Sequence, residues 1–183
     1  MKRYFIALNL PEKIRAEFTK IQGSLKQINP AIKITWVDPK LTHINLHFLG
    51  GLEENGINLL KQNLKVLEGK YGPILAVLTG IGAFPNQKMP RILFLGVKHK
   101  GENNLIKLYE DLGKILSNQG LPIEDRPFIA HVTLGRVKEG ARQVKFTGEE
   151  MKDIEFKVNS FELMESILTP GGPEYKILSS TRL

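Results

Sequence analysis

The stretch Thr42–Gly50, THINLHFLG, alternates between two faces. Thr42, Ile44, Leu46 and Phe48 share one parity; His43, Asn45 and His47 share the other. A period of two is the mark of a half-buried strand, because successive side chains point to opposite faces. This strand has an apolar face for a core and a polar face carrying two histidines and an asparagine. Gly50-Gly51 ends it.

The same arrangement returns later. From Phe5 to His43 the chain reads strand, helix, polar-faced strand; from Leu93 to His131 it does so again over the same length. An offset of 88 residues lays His43-Ile44-Asn45-Leu46 on His131-Val132-Thr133-Leu134. Few other side chains match, so architecture repeats rather than sequence. A long period seen only twice excludes a solenoid. It predicts an α+β, bilobal fold: two lobes related by a pseudo-twofold, each an antiparallel-rich sheet with helices outside, and a cleft between them. Residues 1–183 then form one domain of two interwoven lobes.

The remaining elements follow from their patterns. Arg3 to Leu8 is an apolar strand, and Pro11-Glu12 opens a helix with stripe Ile14, Phe18, Ile21 and Leu25. Ile34 to Val37 is a short strand. A helix is predicted from about Glu54 to Glu68 on Ile57, Leu60, Leu64 and Leu67, and another from Asn103 to Asn118 on Leu105, Leu108, Leu112 and Leu116. Ile74 to Phe84, Arg91 to Val97 and Phe128 to Val137 read as strands. So do Ile154 to Ser166 and Tyr175 to Thr181, around a Pro170-Gly171-Gly172-Pro173 turn. Lys138 to Asp153 reads as a polar, mobile segment in which Val144 to Phe146 pairs briefly.

Composition sets the outer bounds. The 183 residues are 42% hydrophobic and 25% charged, ordinary globular usage for a chain able to bury its own core. Cysteine is absent, which excludes disulfides, zinc-thiolate sites, iron–sulfur clusters and thiol nucleophiles. No run approaches the ~20 apolar residues of a membrane span, and the apolar run Tyr4 to Leu8 is too short for a secretion signal. A cytoplasmic protein is expected. The net charge of +7 favours a polyanionic partner.

Two of the four histidines, His43 and His131, stand at matching points of the repeat, each with a hydrogen-bonding residue two places on. Residues i and i+2 of a strand lie on one side, about 6.5–7 Å apart. An imidazole titrates near neutrality, so of two facing rings one can take a proton while the other gives one. That suits displacement at phosphorus, with Asn45 and Thr133 donating to the non-bridging oxygens. His47 shares the parity of His43 and is a candidate for contact with a nucleic acid. No carboxylate flanks the motifs, so a metal centre is not expected. Phe48 has core parity. Trp36 is a candidate stacking surface for a base. Strict alternation puts Arg136 on the face opposite His131; it reaches the cleft only if Gly135 bulges the strand or the strand ends there, and is otherwise a surface arginine.

Five segments together resemble the 2H phosphoesterases, and within them the LigT-like RNA 2′,3′-cyclic phosphodiesterases, historically called 2′-5′ RNA ligases. They are YFIALNLPEKIR, WVDPKLTHINLHFLG, GIGAFPNQKMPRILFLGV, RPFIAHVTLGR and FELMESILTPGGPEYKIL, nearly the whole chain. The resemblance implies a bilobal fold and a metal-independent, cofactor-free hydrolysis of a terminal 2′,3′-cyclic phosphate to the 2′-phosphate. It makes His43 the proton donor to O3′, His131 the base for water, Thr133 a phosphate ligand and Arg136 a source of charge. It also implies reversible, ATP-independent 2′-5′ joining of tRNA halves, RNA as partner, and a monomer. Asn45 departs from the family pattern, which has threonine or serine there. Two rivals stand beside this reading: a non-catalytic RNA-end-binding module, and a phosphodiesterase for small cyclic nucleotides or 2′-5′ oligonucleotides.

Overall fold

The computed structural model describes residues 2–138, 144–146 and 153–183. In chain order its elements are β1 (Lys2–Asn9), α1 (Glu12–Ile28), β2 (Ile34–Trp36), β3 (His43–Gly50), α2 (Glu54–Leu64), β4 (Ile74–Phe84), β5 (Ile92–His99) and α3 (Asn104–Asn118), then β6 (His131–Val137), β7 (Ile154–Val158), β8 (Ser160–Thr169) and β9 (Gly172–Arg182). The α+β class and the repeat are both present.

All nine strands join one antiparallel sheet, ordered β7-β4-β5-β6-β3-β1-β8-β9, with β2 on β6. The two halves of that order meet at β3 and β6 through a single ladder pair, Ile44 with Val132. Those residues are 88 apart, the offset of the repeat, so the pseudo-twofold passes between them. The expected strand from Ile154 to Ser166 is instead broken at Asn159. Its halves, β7 and β8, go to different lobes, six strand positions apart. Laid flat, six positions span roughly 29 Å at about 4.8 Å each, far beyond the reach of one linking residue. The sheet is therefore curled, and the C-terminal strands weave the second lobe back into the first.

One face of the sheet carries the core. Phe18 and Leu25 of α1, Leu60 and Leu64 of α2, and Leu108 and Leu112 of α3 are buried there against Ile6, Leu8, Ile44, Leu93, Leu95 and Val132. Truncating one such ring, Phe18→Ala, is expected to cost roughly 3–5 kcal/mol. On α1 the third buried position is Gln22 rather than the expected Ile21. The other face, free of helices among the described residues, bears a smaller cluster, Phe5, Ala7 and Met164 with Tyr175 packed on it.

The segment Lys138 to Asp153 lies largely outside the described residues. Val144–Phe146 is not a strand; both polar backbone groups of Lys145 are bonded instead by the side-chain amide of buried Asn29, at 2.8 and 2.9 Å. No described helix is long and apolar enough to cross a membrane.

Candidate active site

Two β-bulges shape the helix-free face. On β3, Ile6 stands opposite His47 but Ala7 stands opposite Asn45, so Leu46 is an extra residue. On β6, Leu93 stands opposite Gly135 but Phe94 stands opposite Thr133, so Leu134 is extra. A bulge shifts the alternation by one. Leu46 and His47 both turn to the core, and Phe48 turns out, 63% exposed. Leu134 and Gly135 likewise turn in, and Arg136 turns out. The bulges are themselves 88 residues apart.

Each bulge is fastened by the helix of the opposite repeat. Gln22 of α1, 2% exposed, donates from Nε2 to the carbonyls of Leu134 and Val37, both at 2.8 Å. His47 donates from Nε2 to the Tyr109 carbonyl of α3 at 2.9 Å and stacks on the Tyr109 ring, which stacks on Phe128. Gly135 has no side chain to lose here: a Cβ would meet Ile34 at 2.8 Å and the Thr35 carbonyl at 3.1 Å.

This corrects three expectations. His47 does not share the face of His43; it lies in the core, where burial lowers its pKa, against the Tyr109 carbonyl and the charge of Glu124. Three imidazoles therefore do not converge. Phe48 does not have core parity. Trp36 pairs with Gly135 on the helix side, under the Lys26 ammonium at 5.4 Å, and does not line the helix-free face. Arg136 meets the condition set for it, since the bulge brings it to the face of His131.

The two imidazoles at the junction are held alike. His43 Nδ1 is 2.8 Å from the Leu41 carbonyl, and His131 Nδ1 is 2.7 Å from that of Ile129. A carbonyl only accepts, so each Nδ1 carries the hydrogen and each Nε2 is left to exchange a proton. Both rings sit among aromatics. Phe5 and Tyr175 lie 5.0 and 5.4 Å from His43; Phe84 and Phe94 lie 5.0 and 5.3 Å from His131. Gly82 makes room for the Phe94 ring, which a Cβ there would strike. Burial lowers the pKa of both histidines, against the backbone carbonyls that raise it; the charge of His131 lowers His43 further.

Antiparallel register around Ile44 and Val132 sets His43 beside Thr133 and Asn45 beside His131. The histidines are then diagonal neighbours, about 7–8 Å apart along the backbone, which leaves room for one tetrahedral group. Asn45 Oδ1 is buried with no partner among the described residues. Turning that amide over presents its NH2 as a donor at the same place. Phe48 and Tyr175 are the members of this surface that residue patterns missed. Carrying Arg136 back by the 88-residue offset would have found Phe48; nothing local marks Tyr175.

The model of the LigT-like phosphoesterases matches this chain over residues 8–94 and again over 95–175, the two halves of the repeat. An RNA 2′,3′-cyclic phosphodiesterase of Archaeoglobus fulgidus is 34% identical, over 96% of this chain and 97% of that one. The crystal structure of TT0787 from Thermus thermophilus is 30% identical, covers 99% of this chain and 97% of its own, and superposes with a TM-score of 0.79. E. coli LigT complexed with 3′-AMP reaches 0.82 at 23% identity, covering 100% and 98%, a likeness of fold.

Proposed function

The chain belongs to the LigT-like phosphoesterase family, and from that premise we propose that it is an RNA 2′,3′-cyclic phosphodiesterase. One observation carries the reading: two imidazoles, each tethered through Nδ1 to a backbone carbonyl, leave both Nε2 atoms free on one surface at a spacing that admits a phosphate. The name carried by the A. fulgidus relative supports the substrate.

In the proposed reaction His131 Nε2 takes a proton from water as its oxygen attacks phosphorus. The P–O3′ bond breaks, and O3′ takes a proton from His43 Nε2. The products are a 2′-phosphate and a 3′-hydroxyl, and the two rings return to their starting states through solvent. The order of acid and base follows the family resemblance. Thr133 and the turned amide of Asn45 donate to the non-bridging oxygens, where charge grows, and Arg136 adds a positive charge. With an RNA 5′-hydroxyl in place of water, the same step forms a 2′-5′ bond without ATP. Phe48 offers an exposed ring of the kind on which a base stacks.

An RNA oligonucleotide ending in 2′,3′-cyclic phosphate tests this, incubated in EDTA with wild type, His43→Ala and His131→Ala. The expected result is a 2′-phosphate formed by wild type and lost in both variants. Turnover only on adding a metal ion overturns the two-imidazole scheme. Tight binding without product makes the protein an RNA-end reader, and equal handling of mononucleotides points to a small cyclic nucleotide instead.

A further inference from the structure

Beyond the reacting phosphate, the two pseudo-symmetric exits from the junction differ in charge. Leaving along β3, the outward position is Phe48, since a second register shift turns Gly50 opposite core Tyr4; exposed Glu53 and Glu54 follow, and exposed Arg3 of β1 stands alongside. Leaving along β6, the outward positions are Arg136 and Lys138, both exposed. β2 adds to the second exit alone. Its Thr35 stands opposite Arg136, and the Lys138 N–H bonds the Lys33 carbonyl at 3.0 Å, which sets Lys33 directly across from Lys138.

On β2 the neighbours Ile34 and Trp36 pack into the core, so Lys33 and Thr35 take the opposite face, with Arg136 and Lys138. Like charges directly opposite one another on neighbouring strands repel. Among the described residues none of Lys33, Arg136 and Lys138 makes an ion pair. The fold thus holds a lysine pair together, and among the described residues no carboxylate pairs with either. From Thr133 the row runs on to Arg136 and then Lys138. Its strand step of about 6.5–7 Å is comparable to the separation of successive phosphates in an extended nucleic-acid strand.

We propose that Lys138 and Lys33, continuing outward from Arg136 at the reacting phosphate, form a track for the backbone phosphates that lie 5′ to the reacting end of an RNA strand. The inference rests on the RNA reading above and adds a direction to it. A 2′,3′-cyclic phosphate is a 3′ terminus, so the rest of the strand leaves by one exit only. The exit along β3 offers the Phe48 ring, Glu53, Glu54 and the cation Arg3; the exit along β6 offers Arg136, Lys138 and Lys33, and a polyanion takes the second.

The test compares wild type with Lys33→Ala, Lys138→Ala and the double variant on two substrates. One is a nucleoside 2′,3′-cyclic monophosphate, which has no second phosphate; the other is an eight-residue RNA ending in 2′,3′-cyclic phosphate. The readout is the ratio of kcat/KM for RNA to that for the mononucleotide, across a salt series. For the double variant the ratio is expected to fall about tenfold at low salt, through KM. The log–log slope of RNA kcat/KM against salt should flatten by about 1.4, or roughly 0.7 for each single-strand phosphate that is no longer neutralised. Equal loss on both substrates, or an unchanged slope, overturns the track. If wild type turns over neither substrate, the phosphodiesterase reading fails. The track is then read separately from binding of a 3′-hydroxyl RNA by fluorescence anisotropy, where the same flattening is expected. Loss of binding to phosphatidylserine vesicles with RNA binding intact would assign the lysines to a membrane surface and overturn the proposal.

Discussion

Gln22→Leu separates the bulge from the rest of the fold. The side chain is nearly shape-conserving, and it removes both Nε2 hydrogen bonds, each 2.8 Å, to Val37 and Leu134. The Leu134 carbonyl keeps the Val37 N–H at 3.0 Å, whereas the Val37 carbonyl loses the donor that Gln22 gave it. An orphaned buried carbonyl costs about 1–3 kcal/mol and a forfeited but replaceable hydrogen bond about 1, so the variant should lose roughly 2–4 kcal/mol. At this chain length that is a fall in Tm of roughly 5–15 °C. The catalytic consequence runs through Arg136, which faces the junction only while the bulge holds. A charge-assisted contact to phosphate contributes about 1.5–3 kcal/mol, or roughly 10–150-fold in kcat/KM. Gln22→Leu should therefore lose at least about tenfold in kcat/KM, measured well below its Tm. Placed on Arg136→Ala it should cost less than about threefold more, because the group it positions is already gone. Full additivity, or wild-type kcat/KM in a variant whose Tm has fallen, would refute the argument that Gln22 aims Arg136.

His43, His47 and His131 are all lowered by burial from 6.5, so below that pH the unfolded chain takes up protons the folded chain refuses. Stability should fall from pH ~6.5 until each folded-state group titrates, by at most about 1.4 kcal/mol per pH unit for each ring. Urea melts at pH 7, 6 and 5 read this; His47→Phe, which keeps the stack on Tyr109, should flatten the slope, and an unchanged slope would show that His47 is not a contributor. Asn45→Thr removes a buried, unpartnered oxygen and should raise Tm slightly while kcat stays level or rises; a fall of tenfold or more would mean that the amide itself serves the reaction. Phe48→Ala should leave Tm within about 2 °C, since the ring is exposed, yet raise KM for RNA by about 5–100-fold if a base stacks there; an unchanged KM removes Phe48 from the binding surface.

Period and repeat made the architecture legible from the residues, and the reading failed where contacts are remote in sequence. Strict alternation holds from His43 to Leu46 and misplaces His47 and Phe48, because the register of β1 against β3 inserts one residue between them. That register is secured by Tyr109, 62 positions away, and its counterpart on β6 by Gln22, 112 positions from Leu134. No pattern in the sequence marks Gln22; only the two strand carbonyls that its amide meets explain its burial. Trp36 read as a stacking surface and Gly135 as a candidate bulge, and it is their pairing that sends the indole to the core side and leaves no volume for a Cβ. The matching points of the repeat were the more dependable guide, since a device present at Leu134 was present at Leu46 as well.

The repeat also governs how each imidazole is tuned. In a hydrolase triad a carboxylate orients the histidine and stabilises its imidazolium. Here each Nδ1–H meets a neutral carbonyl from the residue two places earlier, so the orienting bond is supplied by the strand's own approach and brings no negative charge. Burial among Phe5, Tyr175, Phe84 and Phe94 then leaves both rings poorly disposed to hold a proton in the empty site, and each is disfavoured further if the other is charged. An anionic phosphate entering between them reverses the balance, because a proton on one Nε2 is then paired with negative charge at short range. Two rings held alike would thus come to differ in charge on occupation, one charged and the other neutral, which is the pairing that acid–base displacement requires. The residues that differ between the halves beforehand are Asn45 against Thr133 and, just past the bulges, Phe48 against Arg136; in the proposed reaction these are the groups able to orient the substrate so that the same ring is charged at every turnover.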